Sequence, residues 1–258
     1  MPNNPPKESY RAIVKVRSTL DTDKKCEICG VPYVWQQMPI IGEKTLSQGC
    51  NCDIYEIEQR KVELRDKIER SDLPEKFRSP NIRDWSHVEG TEGMYTAVKD
   101  YVTNIAEKYA KNEGIMFAGQ RGTGKTKMSC FLGMRYMIDL NVQVYYVSLT
   151  KYALMIDSMK NNHESFGKYS RKYQVCPVLI LDDVGESMIE RWHRKYIFDL
   201  IDTRNNRNCV TIFSTMNDYE TQCENIGEHN VSRIQEMAGG NIINVTSNVD
   251  MRQSKIKG

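Results

Sequence analysis

The chain has 258 residues, of which 40% are hydrophobic and 27% charged, so it is long enough to bury a core without disulfide support. Its 36 basic and 34 acidic side chains leave a net charge of only +2, which argues against a uniformly basic surface and confines any nucleic-acid footprint to a local patch. The start, MPNNPPKESY, lacks the apolar core of a secretory signal, and no apolar run approaches the roughly 20 residues of a membrane helix. We therefore expect a cytoplasmic protein that has no membrane partner.

Two close cysteine pairs, CEIC and CNC, occur near the start of the chain. Because cytoplasmic thiols stay reduced, two such pairs predict a tetrahedral zinc site. The expected zinc ligands are Cys26, Cys29, Cys50 and Cys52. A thioredoxin-like redox motif is the alternative for CEIC, but it requires a βαβ context that this segment lacks. The apolar residues between the pairs, Trp35 among them, exceed what a small zinc module can bury, so we expect part of it to face a partner.

A charged amphipathic helix is predicted next, in DIYEIEQRKVELRDKIERSDLP. Its apolar residues fall on one helical face, and Pro74 closes it. We place a domain boundary here, so that residues 1–75 form the zinc-binding module and residues 76–258 form a second domain.

The second domain begins with a helix predicted over residues 94–110, after which short apolar strands alternate with helices. The predicted strands are GIMFAG, VQVYYVS, PVLILDD and CVTIFSTMN, and the helices between them are KMSCFLGMRYMIDL, TKYALMIDSMK and RWHRKYIFDLIDTR. Continuously apolar strands in this alternation are typical of an α/β fold, in which helices cover both faces of a parallel sheet.

The stretch GQRGTGKT fits the phosphate-loop pattern G-x-x-x-x-G-K-[ST] and lies between a predicted strand and a predicted helix. Its glycines let backbone N–H groups point at phosphates, and the helix N-terminus adds positive potential. Lys125 would reach the β- and γ-phosphates of ATP, or the β-phosphate of ADP, and Thr126 would ligate Mg²⁺. The residues expected to hold the nucleotide are Gly119, Gln120, Arg121, Gly122, Thr123, Gly124, Lys125 and Thr126. A glycine-rich turn that binds nothing is the alternative.

The stretch LILDDVG is a buried strand that delivers two carboxylates to the carboxyl edge of the sheet, where open α/β sheets bind ligands. Asp182 is expected to hold the Mg²⁺ shell, and Asp183 to orient or deprotonate the attacking water. Asn217 follows the next strand, TIFSTMN, and could hydrogen-bond that water or the γ-phosphate. An ordinary strand end before a turn is the alternative for the acidic pair.

Basic and aromatic residues are interleaved in MKNNHESFGKYSRKYQ. This pattern favours single-stranded DNA, because cations follow the backbone while rings stack on bases. The candidate DNA-binding residues are Lys168, Tyr169, Arg171 and Lys172. The alternative is a solvated helix–loop–helix whose tyrosines pack inward.

Four stretches together, GQRGTGKT, LILDDVG, DLIDTRNNRNCVTIFSTMN and SRIQEMAGGNIINVTSNVDMR, resemble the AAA+ ATPases of the DnaC/DnaI helicase-loader type, with the IstB transposition helpers as close relatives. The resemblance implies an AAA+ P-loop fold that has no separate lid domain. It implies that Asn217 is sensor 1, that Arg233 is an arginine finger for the neighbouring subunit's site, and that Arg252 is the sensor 2 arginine at the nucleotide. The alternative for Arg233 and Arg252 is a pair of surface ion-pair partners. It also implies that a helical element before LILDDVG lines a DNA channel.

The function implied is ATP hydrolysis that delivers a DnaB-type replicative helicase onto single-stranded DNA, by copies of the chain that assemble through the ATP site. Two alternatives stay open: an IstB-like ATPase that serves a transposase on double-stranded DNA, and an ATP-gated adaptor that does not hydrolyse. Asp183 argues against the adaptor, and the zinc module argues against the transposase helper.

Overall fold

The computed structural model describes residues 18–25, 32–37, 44–47, 52–78, 89–158, 163–186 and 189–247. The chain divides into two compact units, residues 1–63 and 64–258. Leu64, Ile68 and Phe77 pack against an apolar core of the second unit. The predicted domain boundary at residue 75 stays a prediction.

The first unit contains a three-stranded antiparallel sheet that the sequence patterns did not predict. Its strands are β1 (Ser18–Lys25), β2 (Pro32–Gln37) and β3 (Lys44–Ser47), in that order. Lys25 pairs with Pro32, and Val34 pairs with Ser47. The end of β1, the start of β2 and the end of β3 therefore lie at the same end of this sheet. The helix α1 (Cys52–Arg70) follows and continues into the second unit.

A five-stranded parallel sheet organises the second unit. Its strands are β4 (Ile115–Gly119), β5 (Val144–Ser148), β6 (Val178–Asp182), β7 (Val210–Thr215) and β8 (Ile242–Val245). They lie in the order β5–β6–β7–β4–β8, and every neighbouring pair is parallel. The α/β fold with a parallel sheet is thereby confirmed.

Helices connect these strands, and a short 3-10 turn at Glu75–Phe77 precedes them. The helices are α2 (Glu92–Thr103), α3 (Ile105–Ala110), α4 (Lys125–Asp139), α5 (Leu149–Ser158), α6 (His163–Val175), α7 (Arg194–Asn206), α8 (Tyr219–Ile226) and α9 (Glu228–Ala238). The single helix predicted over residues 94–110 is interrupted at Asn104. Its side-chain amide donates to the Asp100 carbonyl at 3.0 Å, so it competes for an acceptor that the helix itself uses.

The core lies on both faces of the parallel sheet, as continuously apolar strands require. In β4, Met116 belongs to the cluster on one face, whereas Ile115 and Phe117 belong to the cluster on the other. This alternation leaves the carboxyl ends of the strands free to build a site at the edge of the sheet. Among the described residues, no helix is long and apolar enough to cross a membrane.

Candidate functional site

The glycine loop joins the end of β4 to the start of α4 and requires glycine at several positions. Gly119, Gly122 and Gly124 have φ angles of 143°, 81° and 88°. A Cβ on Gly119 would lie 2.3 Å from the carbonyl oxygen of Val245, so no larger residue fits beside β8. No side chain caps the N-terminus of α4, so its first N–H groups are available to an anion in the loop.

Lys125 holds this loop closed from its inner side. The side chain is buried, and Nζ donates to the carbonyl oxygens of Gly119 at 2.6 Å and Gln120 at 2.7 Å. Thr123 is also buried and donates to the Gln120 carbonyl at 2.9 Å, while Arg121 is exposed. A buried ammonium group beside an uncapped helix N-terminus suits the terminal phosphates of a nucleotide.

Asp182, at the end of β6, accepts three hydroxyl donors although its residue is only 1% exposed. Its Oδ2 accepts from Tyr146 of β5 at 2.7 Å. Its Oδ1 accepts from Thr126 at 3.2 Å and from Ser214 of β7. Thr126 and Asp182 thus bring two oxygen groups together beside the loop, and oxygen is the ligand atom that Mg²⁺ prefers.

The same burial shifts the ionisation of this cluster. Burial, followed by the charge of Asp183, raises the pKa of Asp182, and the hydrogen bonds from Ser214, Tyr146 and Thr126 oppose that rise. Burial, followed by the charge of Asp182, raises the pKa of the Tyr146 hydroxyl far above its ordinary value. Tyr146 therefore stays protonated and remains a donor.

Asp183 is held in an unusual backbone conformation. Its φ of 55° is in the left-handed region, which is uncommon outside glycine and concentrates at functional sites. Its N–H donates to Ser214 Oγ at 3.3 Å. Burial, and then a hydrogen bond and the charge of Asp183, raise the pKa of Glu186 to about 7. The protonated form of Glu186 is therefore favoured up to near neutral pH.

Asn217 lies just beyond β7, and its side chain contacts the loop that follows the acidic pair. Its Nδ2 donates to the carbonyl oxygen of Gly185, which also accepts from Asn225 at 2.6 Å. Since β4, β6 and β7 are parallel neighbours, the glycine loop, the acidic pair and Asn217 share one edge of the sheet. The glycine loop, Asp182, Asp183 and Asn217 are thus the predicted members that lie together at this edge.

The remaining predicted site residues include the arginine finger, the zinc ligands and the sensor 2 arginine. Arg233, on α9, has a side chain that is 40% exposed and bonds Glu236 at 2.7 Å and Asp202 at 3.7 Å. Cys52 begins α1, and its side chain is not described. The predicted site residues outside the described part of the chain are Cys26, Cys29, Cys50 and Arg252.

The basic–aromatic stretch forms α6, and its candidate residues divide into two groups. Lys168, Tyr169 and Arg171 are exposed, Tyr169 to 55%. Lys172 instead bonds Asp72 at 2.7 Å and lies 4.7 Å over the ring of Tyr173, which is buried. An exposed group and an inward-packed group therefore coexist on one helix.

Three contributors to the site were not predicted: Tyr146, Ser214 and Glu186. Tyr146 and Ser214 lie inside apolar strands, where the sequence pattern predicts side chains buried in the hydrophobic core. The parallel register, which pairs Ser148 with Asp182 and Tyr146 with Ile180, is what brings β5 beside the acidic pair. A tyrosine within VYYVS gives no sequence signal of that contact.

A phosphate loop after β4, an acidic pair after β6 and an asparagine after β7, on a parallel sheet of this order, define the fold of the AAA+ P-loop ATPases. Residues 106–227 match the family model described as IstB-like ATP binding protein. The replicative helicase loader DnaC of Buchnera aphidicola subsp. Baizongia pistaciae (strain Bp) is 25% identical over 193 residues, which cover 73% of this chain and 75% of that one. The chain therefore carries an ATP-binding domain similar to that of the IstB-like proteins, and it is similar to the DnaC helicase loader over 193 residues.

Solved structures agree on the fold. A crystal structure of the DnaC helicase loader matches with a TM-score of 0.57 and 20% identity, covering 67% of this chain and 99% of that one. A structure of the replication initiator DnaA bound to AMPPCP and single-stranded DNA matches with a TM-score of 0.57 and 19% identity. That match covers 72% of this chain and 56% of the DnaA chain.

Proposed function

We propose that the chain is an ATP-hydrolysing loader that delivers a DnaB-type replicative helicase onto single-stranded DNA. The observation that carries the proposal is the assembled phosphate loop and acidic pair, joined by the contact between Thr126 and Asp182, in a chain similar to a replicative helicase loader. That similarity supports a loader role in replication initiation. The hydrolysis cycle and the delivery step are what we add.

The nucleotide would lie along the glycine loop. Lys125 would bind the β- and γ-phosphates, while Thr126 and Asp182 would hold Mg²⁺, which supplies charge neutralisation to the phosphates when bound. Asp183 would orient or deprotonate the attacking water, and Asn217 would hydrogen-bond the water or the γ-phosphate. The left-handed backbone of Asp183 supports that role, because such strain is kept where it serves function.

Assembly of several copies would complete each site. Arg233 would reach the nucleotide of the neighbouring copy, and Arg252 would contact the nucleotide of its own chain. The exposed position of Arg233, bonded to acidic groups on the protein surface, supports the first assignment. Exposed ion pairs contribute little, so they would not prevent the guanidinium from changing partner.

The N-terminal unit would bind zinc and capture the helicase. The strand ends that flank the two cysteine pairs lie at one end of the β1–β3 sheet, which supports a shared ion between Cys26, Cys29, Cys50 and Cys52. Single-stranded DNA would contact the exposed group of α6, Lys168, Tyr169 and Arg171. The match to a DnaA structure that holds single-stranded DNA motivates this assignment.

The test is capture of a purified replicative helicase by the full chain, compared with capture of a purified transposase. We expect the helicase to bind. Cys29→Ser should release zinc and abolish capture while nucleotide binding is retained, because structural zinc contributes folding free energy to its own module. Trp35→Ala should keep zinc but weaken capture, since aromatic anchors often dominate interfaces. Binding of the transposase alone would favour the second candidate, an IstB-like helper, which the family match motivates.

A further inference from the structure

Tyr146 contacts Asp182 in the nucleotide site, but the proposed function gives it no role. It lies in β5, the edge strand of the parallel sheet, in register with Ile180 of β6. On the outer side of β5, its N–H donates to the Ser71 carbonyl oxygen at 2.7 Å. Its backbone is therefore fixed from both sides, and its ring packs against the second core cluster. The ring has little freedom, so the place of its hydroxyl is set by the fold.

The Tyr146 hydroxyl and the other two donors hydrogen-bond different oxygens of Asp182. Oδ2 accepts from Tyr146 at 2.7 Å, while Oδ1 accepts from Thr126 at 3.2 Å and from Ser214. With donors on both oxygens, the carboxylate cannot rotate without breaking a hydrogen bond. Ser214 and Thr126 hold one oxygen only, and Tyr146 is the partner that fixes the plane.

We propose that Tyr146 is a positioning residue for the magnesium-bound nucleotide: it holds Asp182 in the orientation in which Asp182 and Thr126 together receive the metal. This inference rests on the proposed nucleotide function. Tyr146 does not touch the reacting atoms in this account, and it acts only through Asp182.

The expected effect is on metal affinity rather than on nucleotide affinity. Outer hydrogen-bond partners of metal-binding side chains typically change metal affinity by about 10–100-fold when they are removed. Tyr146→Phe should therefore raise the Mg²⁺ concentration at half-saturation by about tenfold or more. Binding of ADP in EDTA should not change, because Lys125 bonds to the glycine loop and not to Tyr146.

The experiment uses the full chain and titrates fluorescent ADP in EDTA and over a Mg²⁺ series, with Mn²⁺ binding followed by electron paramagnetic resonance. Tyr145→Phe is the matched control. It removes the same atom one residue earlier, from the opposite face of the sheet, where Tyr145 packs beside Tyr173 at 6.1 Å between ring centroids. We expect Tyr145→Phe to keep the wild-type Mg²⁺ and Mn²⁺ dependence.

An unchanged Mg²⁺ midpoint in Tyr146→Phe, or an equal loss of ADP affinity with and without metal, would overturn the inference. A double-mutant cycle with Asp182→Asn gives a second, independent measurement. Adding Tyr146→Phe to Asp182→Asn should produce no further shift, since the partner has already lost its charge. A further shift of similar size would show that Tyr146 acts by another route. Failure of the wild-type chain to bind ADP at all would instead refute the proposed function.

Discussion

Replacing Lys125 with alanine removes the buried cation of the glycine loop. A hydrogen bond to a charged group contributes about 1.5–3 kcal/mol, and Lys125 is expected to reach two phosphates. The loss is therefore about 3–6 kcal/mol, or roughly 10²–10⁴-fold in nucleotide affinity at about 1.4 kcal/mol for each factor of ten. The two bonds to the Gly119 and Gln120 carbonyls, at 2.6 and 2.7 Å, are lost as well, which loosens the loop and acts in the same direction.

Titration of a fluorescent, non-hydrolysable ATP analogue into the wild type and Lys125→Ala measures this loss. Titration of fluorescent ADP, which lacks the γ-phosphate, should show about half of it in free energy. Arg135→Ala is the control, because it removes a cation from the same helix whose partner is Asp139, at 2.6 Å. The control should bind ADP like the wild type. If Lys125→Ala bound ADP within threefold of the wild-type affinity, the loop would not be the phosphate site.

Three further predictions concern turnover, assembly and pH. Asp183→Asn should keep Mg²⁺-dependent ADP binding, since Asp182 remains, and should lower the hydrolysis rate by about 10²–10⁴-fold; a wild-type rate would refute the assignment of the acidic pair. Arg233→Ala should depress hydrolysis by up to about 10³–10⁵-fold without weakening nucleotide binding, and mixing it with Lys125→Ala should restore some activity; no rescue at high protein concentration would argue against a shared site. Because the raised pKa of Glu186, about 7, favours its protonated form in the folded chain, the stability it contributes is present below about pH 4.5 and is lost as pH rises through about 7. The free energy of unfolding of Glu186→Gln minus that of the wild type should therefore be about 1 kcal/mol larger at pH 8 than at pH 5, after allowing for solvent screening. Urea unfolding at the two pH values measures this quantity, and an equal difference at both would contradict the raised pKa of Glu186.

The parallel sheet and the location of the nucleotide site could be predicted because their signals are local. Strands such as PVLILDD are apolar throughout, and the glycine loop falls between a strand and a helix, so period and motif agree. Asp182 and Asn217 were predicted to reach the same edge of the sheet. That followed from strand direction alone.

The features that could not be predicted depend on strand register and on individual side-chain hydrogen bonds. Tyr146 contacts Asp182 only because β5 and β6 pair in one particular register, and no periodicity encodes which tyrosine of VYYVS faces the site. The break at Asn104 arises from one side-chain amide that bonds its own helix. The bond of Lys172 to Asp72 joins segments 100 positions apart, a separation that local patterns do not span.

Helicase loading can be tested by reconstitution from purified components. The full chain, ATP, single-stranded DNA with a forked end and a purified replicative helicase are combined, and strand separation is followed over time. We expect the chain to accelerate helicase deposition, Lys125→Ala to abolish the acceleration, and Arg135→Ala to preserve it. Equal strand separation with and without the chain, although the chain binds ATP, would contradict helicase loading.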